Sequence, residues 1–308
     1  MPIYLPIAEL PVNLFLILGL GITVGFISGM FGVGGGFLMT PLLILIGIPP
    51  AVAVASVPSN MAANSMSGCI SYWRKRMVDV GLGLVLLSGA VLGTAAGVWI
   101  FSFLRRIGQL DLAVSLSYVI LLGIVGGLML AESVRAILRA RRGEPAVVRR
   151  PGTHAWFHGL PFKMRFRQSR IYVSAMPVTV IGFAVGLLGA LVGVGGGFML
   201  IPAQIYLMRV PTTVAIGTSL LLVLVTNLFA TVLHAVENRT VDVVLALMLM
   251  IGGVIGAQFG ARAGQAMRAE QLRLLLALLV LAVGVRVAVD LLTLPADVFS
   301  VIATEALE

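Results

Sequence analysis

The chain is predicted to be an all-α polytopic membrane protein built from two homologous repeats, and three observations predict it. Of its 308 residues, 59% are hydrophobic and only 11% charged, against about 25% charged in a soluble domain. Its mean hydropathy is +1.09, and its apolar runs reach the roughly 20 helical residues that cross a bilayer. One glycine-rich stretch occurs twice, in residues 25–41 and 186–202, each time as Gly-Val-Gly-Gly-Gly-Phe followed by a proline. Helix interiors disfavour glycine by about 1 kcal/mol and proline by about 3 kcal/mol relative to alanine, so each stretch breaks a helix. In lipid a broken helix is tolerated where its freed backbone groups are buried in protein or line a cavity. Matching breaks in two halves point to a transporter's substrate site.

The elements follow in order. Residues 12–48 are almost wholly apolar and would span roughly 55 Å as one helix, too long for a single crossing. The glycines divide them into a long piece and a short returning piece, and Pro49-Pro50 ends the latter. Apolar segments follow at 51–73, closed by Arg74-Lys75-Arg76, at 80–103, ending at Arg105-Arg106, and at 110–138. Residues 139–170 carry nine Lys or Arg, with Glu144 the opposing charge and Pro145, Pro151 and Pro161 breaking the stretch. This reads as a basic cytoplasmic linker that also attracts anionic lipid. The second half repeats the first at 172–192, 198–208, 214–236, 241–261 and 272–292. Asn64 aligns with Asn227, and Arg76 and Asp79 align with Arg239 and Asp242. Gly89, Gly93 and Gly97 align with Gly252, Gly256 and Gly260. The organisation is therefore an N-terminal repeat (1–138), the linker (139–170) and a C-terminal repeat (171–308), with about 8–10 membrane helices expected across the two repeats.

The four-residue glycine spacing puts small residues on one helix face, where helices approach closely. The expected place for these seams is within each half; a subunit interface of a homo-oligomer is the rival. With the linker in the cytoplasm and each glycine-broken segment returning to its own side, each half makes an odd number of crossings. The halves are then inverted and both termini lie outside, with Glu9 at one end and Asp297, Glu305 and Glu308 at the other. Arg105-Arg106 then lies on the face that the positive-inside rule leaves poor in basic residues.

The net charge of +9 suggests nucleic acid, but the basic residues lie between apolar runs as loops of a membrane protein do. The lone Cys69 permits no intrachain disulfide and no thiolate metal site. No Lys or Arg precedes the first apolar run, so a cleaved signal peptide is not expected. The glycine stretches lack the Gly-Lys-Ser/Thr ending and preceding strand of a phosphate loop. Close helix packing is one reading of them. The other is an anion cradle: Gly34, Gly35 and Gly36, with Gly195, Gly196 and Gly197, release backbone N–H groups beside the N-terminus of the short helix that follows. The neighbouring spans hold almost no basic side chain, so a site made of backbone is what the chain offers. Further candidates are Ser56, Ser59, Asn60 and Asn64 on one helix face, and Gln204, Thr218, Ser219, Thr226 and Asn227 in the second half. Such a face turns inward, to line a polar path or to bond neighbouring helices. His234 reads as structural, Asp79 and Asp242 as N-caps, and Arg286 with Asp290 as an i,i+4 pair. No catalytic group, cofactor or metal site is built, and no enzyme is expected.

At these residues the chain resembles the sulfite exporter TauE/SafE family of membrane permeases. The resemblance rests on both Gly-x-Gly-Gly-Gly-x-x-x-x-Pro copies (32–41 and 193–202), the Gly217-Thr218-Ser219 step and the Val-Asp entries to the glycine-spaced helices. It covers nearly all of the chain outside the linker. The first half departs from it with Ala55-Ser56-Val57. The resemblance implies a multi-pass transporter of a bacterial or archaeal inner membrane, carrying sulfite, sulfonates or related small anions. H⁺ or Na⁺ as coupling ion stays open. So do a membrane scaffold whose glycines only pack helices and a permease for another small solute.

Overall fold

The structure, a computed structural model, describes residues 2–31, 35–141, 163–166, 168–169, 171–208, 210–266 and 269–292. Gly34, most of the expected linker and the C-terminal acidic residues lie outside the described residues. The first half opens with a hairpin, β1 (Pro2–Leu5) and β2 (Leu10–Asn13), and continues into α1 (Leu14–Phe31), α2 (Gly36–Leu45), α3 (Pro50–Arg74), α4 (Val80–Arg106) and α5 (Leu110–Arg141). The second opens with β3 (Lys163–Phe166) and β4 (Ile171–Ser174), then α6 (Ala175–Val192) and α7 (Gly197–Pro202), which runs into a π-helical turn at Ala203–Leu207. It ends with α8 (Thr212–Leu233), extended by a π turn at His234–Asn238, then α9 (Val243–Ala266) and α10 (Ala269–Leu292). The helical class is as the sequence predicts. The two hairpins are additions, and β3 occupies the end of the stretch assigned to the linker.

Helix partners are exchanged between the halves. α1 lies along α9, and α6 lies along α4. Both pairs run parallel: Gly21 meets Gly252 and Gly29 meets Ala257, while Gly89 meets Thr179 and Gly97 meets Leu187. The glycine seams are thus filled by the opposite half rather than within each half. A Cβ on Gly25 would strike the Gly253 carbonyl, and one on Gly93 the Phe183 carbonyl, so the backbones are in direct contact.

The other two pairs are antiparallel. Gly68, late in α3, packs on Leu220, early in α8, and Gly126 of α5 packs on Val280 and Leu281 of α10 while Gly284 packs on Leu122. Helix ends confirm the direction. The Asp79 N–H, just past α3, donates to Thr218 Oγ1 near the start of α8 at 3.1 Å. The Asp242 N–H, just past the α8 π turn, donates to Ser56 Oγ near the start of α3 at 3.0 Å. It follows that α1 and α2 enter and return at the end carrying the β1–β2 hairpin, and α6 and α7 at the end carrying β3–β4. α3, α4 and α5 run from end to end, as do α8, α9 and α10.

Asp79 and Asp242 hold both ends together. Each caps its helix, Asp79 Oδ1 accepting from Leu82 N and Asp242 Oδ1 from Leu245 N, both at 3.1 Å. The second oxygen reaches into the other half's hairpin. Asp79 Oδ2 accepts from Ser169 N at 2.9 Å and Ser169 Oγ at 2.8 Å, and Asp242 Oδ2 from Ile7 N at 3.0 Å. Both carboxylates are buried, where charge-assisted bonds of this kind compensate for lost hydration.

By length and composition, 6 helices among the described residues are apolar enough to cross a membrane: α4, α5, α6, α8, α9 and α10. α6 qualifies although its chain turns back at the glycine break. α3 spans the molecule but does not qualify, because buried Ser56, Ser59, Asn60 and Ser65 lower its hydropathy. On the outer face Arg286 and Asp290 form their i,i+4 pair at 3.5 Å.

Candidate functional site

The two broken helices meet at the centre. Phe37 and Phe198, each the residue after its glycine cluster, are fully buried and stack with centroids 4.5 Å apart and planes 15° from parallel. Around them the second break is well defined. Gly193, Gly195 and Gly196 hold φ of 74°, 72° and 72°, a left-handed backbone that glycine adopts without the Cβ penalty. This run cannot be helix, and its peptide groups must find partners elsewhere.

Three of the carbonyls find them in side chains. Tyr118 Oη donates to Val192 O at 2.9 Å, Thr40 Oγ1 to Gly193 O at 3.1 Å, and Asn227 Nδ2 to Gly195 O at 3.2 Å. The N–H groups are treated differently. Gly193 N donates to Gly189 O and Gly197 N to Gly195 O. The N–H groups of Val194, Gly195, Gly196 and Phe198 have no acceptor among the described residues, although all four residues are buried. Buried peptide N–H groups without a partner are rare. Of the carbonyls from Val192 to Gly196, that of Val194 alone has no donor among the described residues, so open N–H groups outnumber open carbonyls at the break, and no cationic side chain is involved.

A cavity of about 10 Å³ adjoins it, lined by Gly195, Gly196, Thr226, Asn227, Thr94 and Ala190 among others. That is room for about one water. The neighbouring space is filled by Met61, whose sulfur lies where a Cβ on either Gly36 or Gly195 would sit. Met61 is fully buried and wedges between the two breaks. Among the described residues the space between the two breaks is thus filled by Met61.

The predicted site residues divide into groups. Gly35, Gly36, Gly195, Gly196, Gly197 and Asn227 come together at this centre. Asn227 gives its amide donor to Gly195 O and to Val223 O at 2.7 Å, so it shapes the break. Asn60 and Asn64 bond each other at 3.2 Å and pack on Gly253 of α9, with the Asn64 Oδ1 left unpartnered among the described residues. Ser56 and Thr218 lie at opposite ends, receiving the Asp242 and Asp79 N–H groups. Ser219 Oγ accepts from Gln204 Nε2 at 3.1 Å, and Gln204 Oε1 is buried without a partner among the described residues. Sequence reasoning missed Met61, Thr40 and Tyr118. Tyr118 carries the one available signal, a phenol inside an apolar run, which needs a hydrogen-bond partner when buried.

The chain matches known proteins over most of its length. The family model described as "Sulfite exporter TauE/SafE" matches residues 17–287. The chain is 25% identical over 279 residues to the probable membrane transporter protein YunE of Bacillus subtilis (strain 168), covering 86% of this chain and 93% of that one. It is 30% identical over 257 residues to a probable membrane transporter protein of Xylella fastidiosa (strain 9a5c), covering 80% and 84%. A shorter match, 32% over 77 residues, is to sulfite exporter TauE/SafE family protein 3 of Arabidopsis thaliana, covering 25% of this chain and 16% of that protein. No solved structure matches the chain.

Proposed function

Because the chain belongs to the sulfite exporter TauE/SafE family of membrane transporters, we propose that its substrates are small sulfur oxyanions, sulfite or a sulfonate, bound at the glycine breaks. One observation carries this reading: at the second break the carbonyls of Val192, Gly193 and Gly195 are bonded by side chains, while the N–H groups of Val194, Gly195, Gly196 and Phe198 have no partner among the described residues. Four open donors against the one open carbonyl of Val194 favour an anion over a cation. Phe198 N adds the first free donor of a short helix to the same cradle. Gly36, facing Met61 from the other side, and Gly35 beside it complete the site. Asn227 holds the Gly195 peptide in place, Gln204 with Ser219 braces the returning helix, and the Asn60–Asn64 pair lines the first-half counterpart.

The halves act as inverted repeats. Two returning helices, one from each end, meet at the midplane, and alternating access follows when one loosens while the other stays packed. Met61 separates the breaks in the closed state and retreats to admit substrate. The protein sits in the bacterial inner membrane with its basic linker in the cytoplasm. The described seams are occupied inside the chain, so a homo-oligomer uses another face.

Flux into proteoliposomes across a panel of sulfite, sulfonates, chloride and small cations, with and without H⁺ or Na⁺ gradients, tests this. Saturable transport of sulfite or a sulfonate, with no cation flux in the absence of anion, is expected. Absence of flux for every anion on the panel contradicts it and favours a scaffold.

A further inference from the structure

At the end that carries the β1–β2 hairpin, an open pocket of about 290 Å³ is lined by Ser102, Arg105, Arg106, Glu237 and Asn238. The arginines close α4 and Asn238 ends the π turn after α8. Their position is unexpected on charge grounds. Arg74, Lys75 and Arg76 lie at the opposite end, and Arg105 and Arg106, with Arg239 directly after Asn238, depart from that bias. A basic pair on the basic-poor face needs a local reason.

The pocket supplies one. Arg105 Nη1 donates to Asn238 O at 2.8 Å, which pins the guanidinium to the wall and leaves the rest of its fork without a protein partner among the described residues. Glu237 shares the lining but makes no ion pair with either arginine among the described residues. Two guanidiniums against one carboxylate leave the lining net positive, and a paired, pinned guanidinium suits the planar faces of an oxyanion.

The floor of the pocket leads inward. Ser102 Oγ donates to Asn238 Oδ1 at 2.7 Å, Asn238 Nδ2 lies 3.2 Å from His234 Nδ1, and His234 Nε2 lies 3.2 Å from Ala190 O. A carbonyl only accepts, so the imidazole proton is on Nε2, Nδ1 accepts from the asparagine, and every donor points inward. Phe101 packs its ring edgewise on His234, centroids 4.7 Å apart. Ala190 lines the small cavity beside Gly195 and Gly196. A plug three side chains deep therefore separates the pocket from the glycine break.

We propose that this pocket is a docking vestibule for oxyanions, taking a sulfite-, sulfonate- or phosphate-type group between Arg105 and Arg106, with Ser102, Asn238 and His234 as the floor between it and the central site. Its role in transport rests on the anion reading above; its charge selectivity does not. The test places a cysteine at Ser102 in a Cys69→Ser background, in phosphatidylcholine nanodiscs. Labelling rates of an anionic sulfonatoethyl and a cationic trimethylammonioethyl methanethiosulfonate are compared, each normalised to its rate with free cysteine. The anionic reagent is expected to be favoured by about tenfold or more. Sulfate and ethanesulfonate should slow it, Arg105→Gln with Arg106→Gln should bring the rates near parity, and the Lys pair should restore the preference. Glu237→Cys gives a second reporter if Ser102→Cys does not fold. Equal normalised rates in the parent, or a preference that survives the Gln pair, overturn the vestibule. Repeating the labelling with phosphatidylglycerol identifies the source of the anion: protection by that lipid assigns the pocket to a headgroup phosphate, and protection by sulfate alone assigns it to a soluble anion. In proteoliposomes the Gln pair should raise the sulfite concentration for half-maximal flux several-fold, and an unchanged value overturns the docking role. Gly196→Val should abolish transport while leaving the labelling preference intact, which separates failure of the central site from failure of the vestibule.

Discussion

Met61 is the residue on which the closed centre depends. Its thioether is flexible and carries no strong polar group, so it fills the irregular gap between Gly36 and Gly195 and can leave it without breaking a hydrogen bond. Met61→Ala should cost about 2–5 kcal/mol of stability in the substrate-free protein, as a buried truncation does. A bound anion occupies some of the vacated space, so sulfite should raise the Tm of this variant more than that of the parent. Equal shifts would mean that Met61 does not border the site. Asn227 acts differently. Removing its amide takes away one of the two donors to the Gly195 carbonyl, leaving it the Gly197 N–H alone, and so raises the negative potential beside the proposed anion. Asn227→Leu should therefore weaken sulfite binding roughly ten- to a hundredfold, the equivalent of losing one bond to a charged group, measured by calorimetry on folded protein.

At the scale of elements, the parallel pairs α1–α9 and α4–α6 rest on glycine. A Cβ at Gly93 would meet the Phe183 carbonyl, so Gly93→Val should force α4 and α6 apart and greatly reduce the yield of folded protein. Gly127 of α5 has nothing within 4 Å of a Cβ, and Gly127→Ala should be neutral or stabilising by up to about 1 kcal/mol. Thermal unfolding followed by size-exclusion chromatography compares the two, and equal effects would mean that the seams do not hold the molecule together. The same elements explain how much was legible in the sequence. Gly89, Gly93 and Gly97 announce a smooth face through their spacing, but spacing says nothing about which helix fills it, so the exchange between halves could not be read. Asp79 and Asp242 were legible as caps because they stand before apolar runs. Their second bonds to Ser169 and Ile7 were not, since hairpins of four-residue strands leave almost no periodicity. Ser56 and Thr218 pose the reverse problem: an inward hydroxyl reads the same whether it lines a path or, as here, accepts an N–H from the other half. Thr40 and Met61 look like ordinary core in the sequence, and Tyr118 signals only that its phenol needs a partner; their importance comes from being brought to Val192, Gly193 and Gly195.

At the scale of the whole molecule, two helices that return at opposite ends and three end-to-end helices in each half fix the topology. Cysteines introduced at Glu9 and at Lys75, in a Cys69→Ser background, should label from opposite faces, Glu9 from the periplasm and Lys75 from the cytoplasm. Labelling of both from one face would contradict the returning path of α1 and α2. This arrangement brings the two glycine breaks together without any buried lysine or arginine among the described residues, and the central claim is that their N–H groups hold the anion. Gly196→Val tests it most directly. The position has φ of 72°, and a Cβ there would lie 2.8 Å from Val185 Cγ1, so the substitution strains the left-handed turn and displaces the donor. Gly35→Val, also at φ of 72° and crowded by Ser28, makes the matching change in the first half. The measurement is sulfite affinity in purified, monodisperse variants whose Tm shows them to be folded. Affinity is expected to fall by at least about a hundredfold in Gly196→Val, more than for loss of a single bond to the anion, with a smaller loss in Gly35→Val. Folded variants that bind sulfite as the parent does would show that the glycines serve only to pack helices and that the anion is held elsewhere.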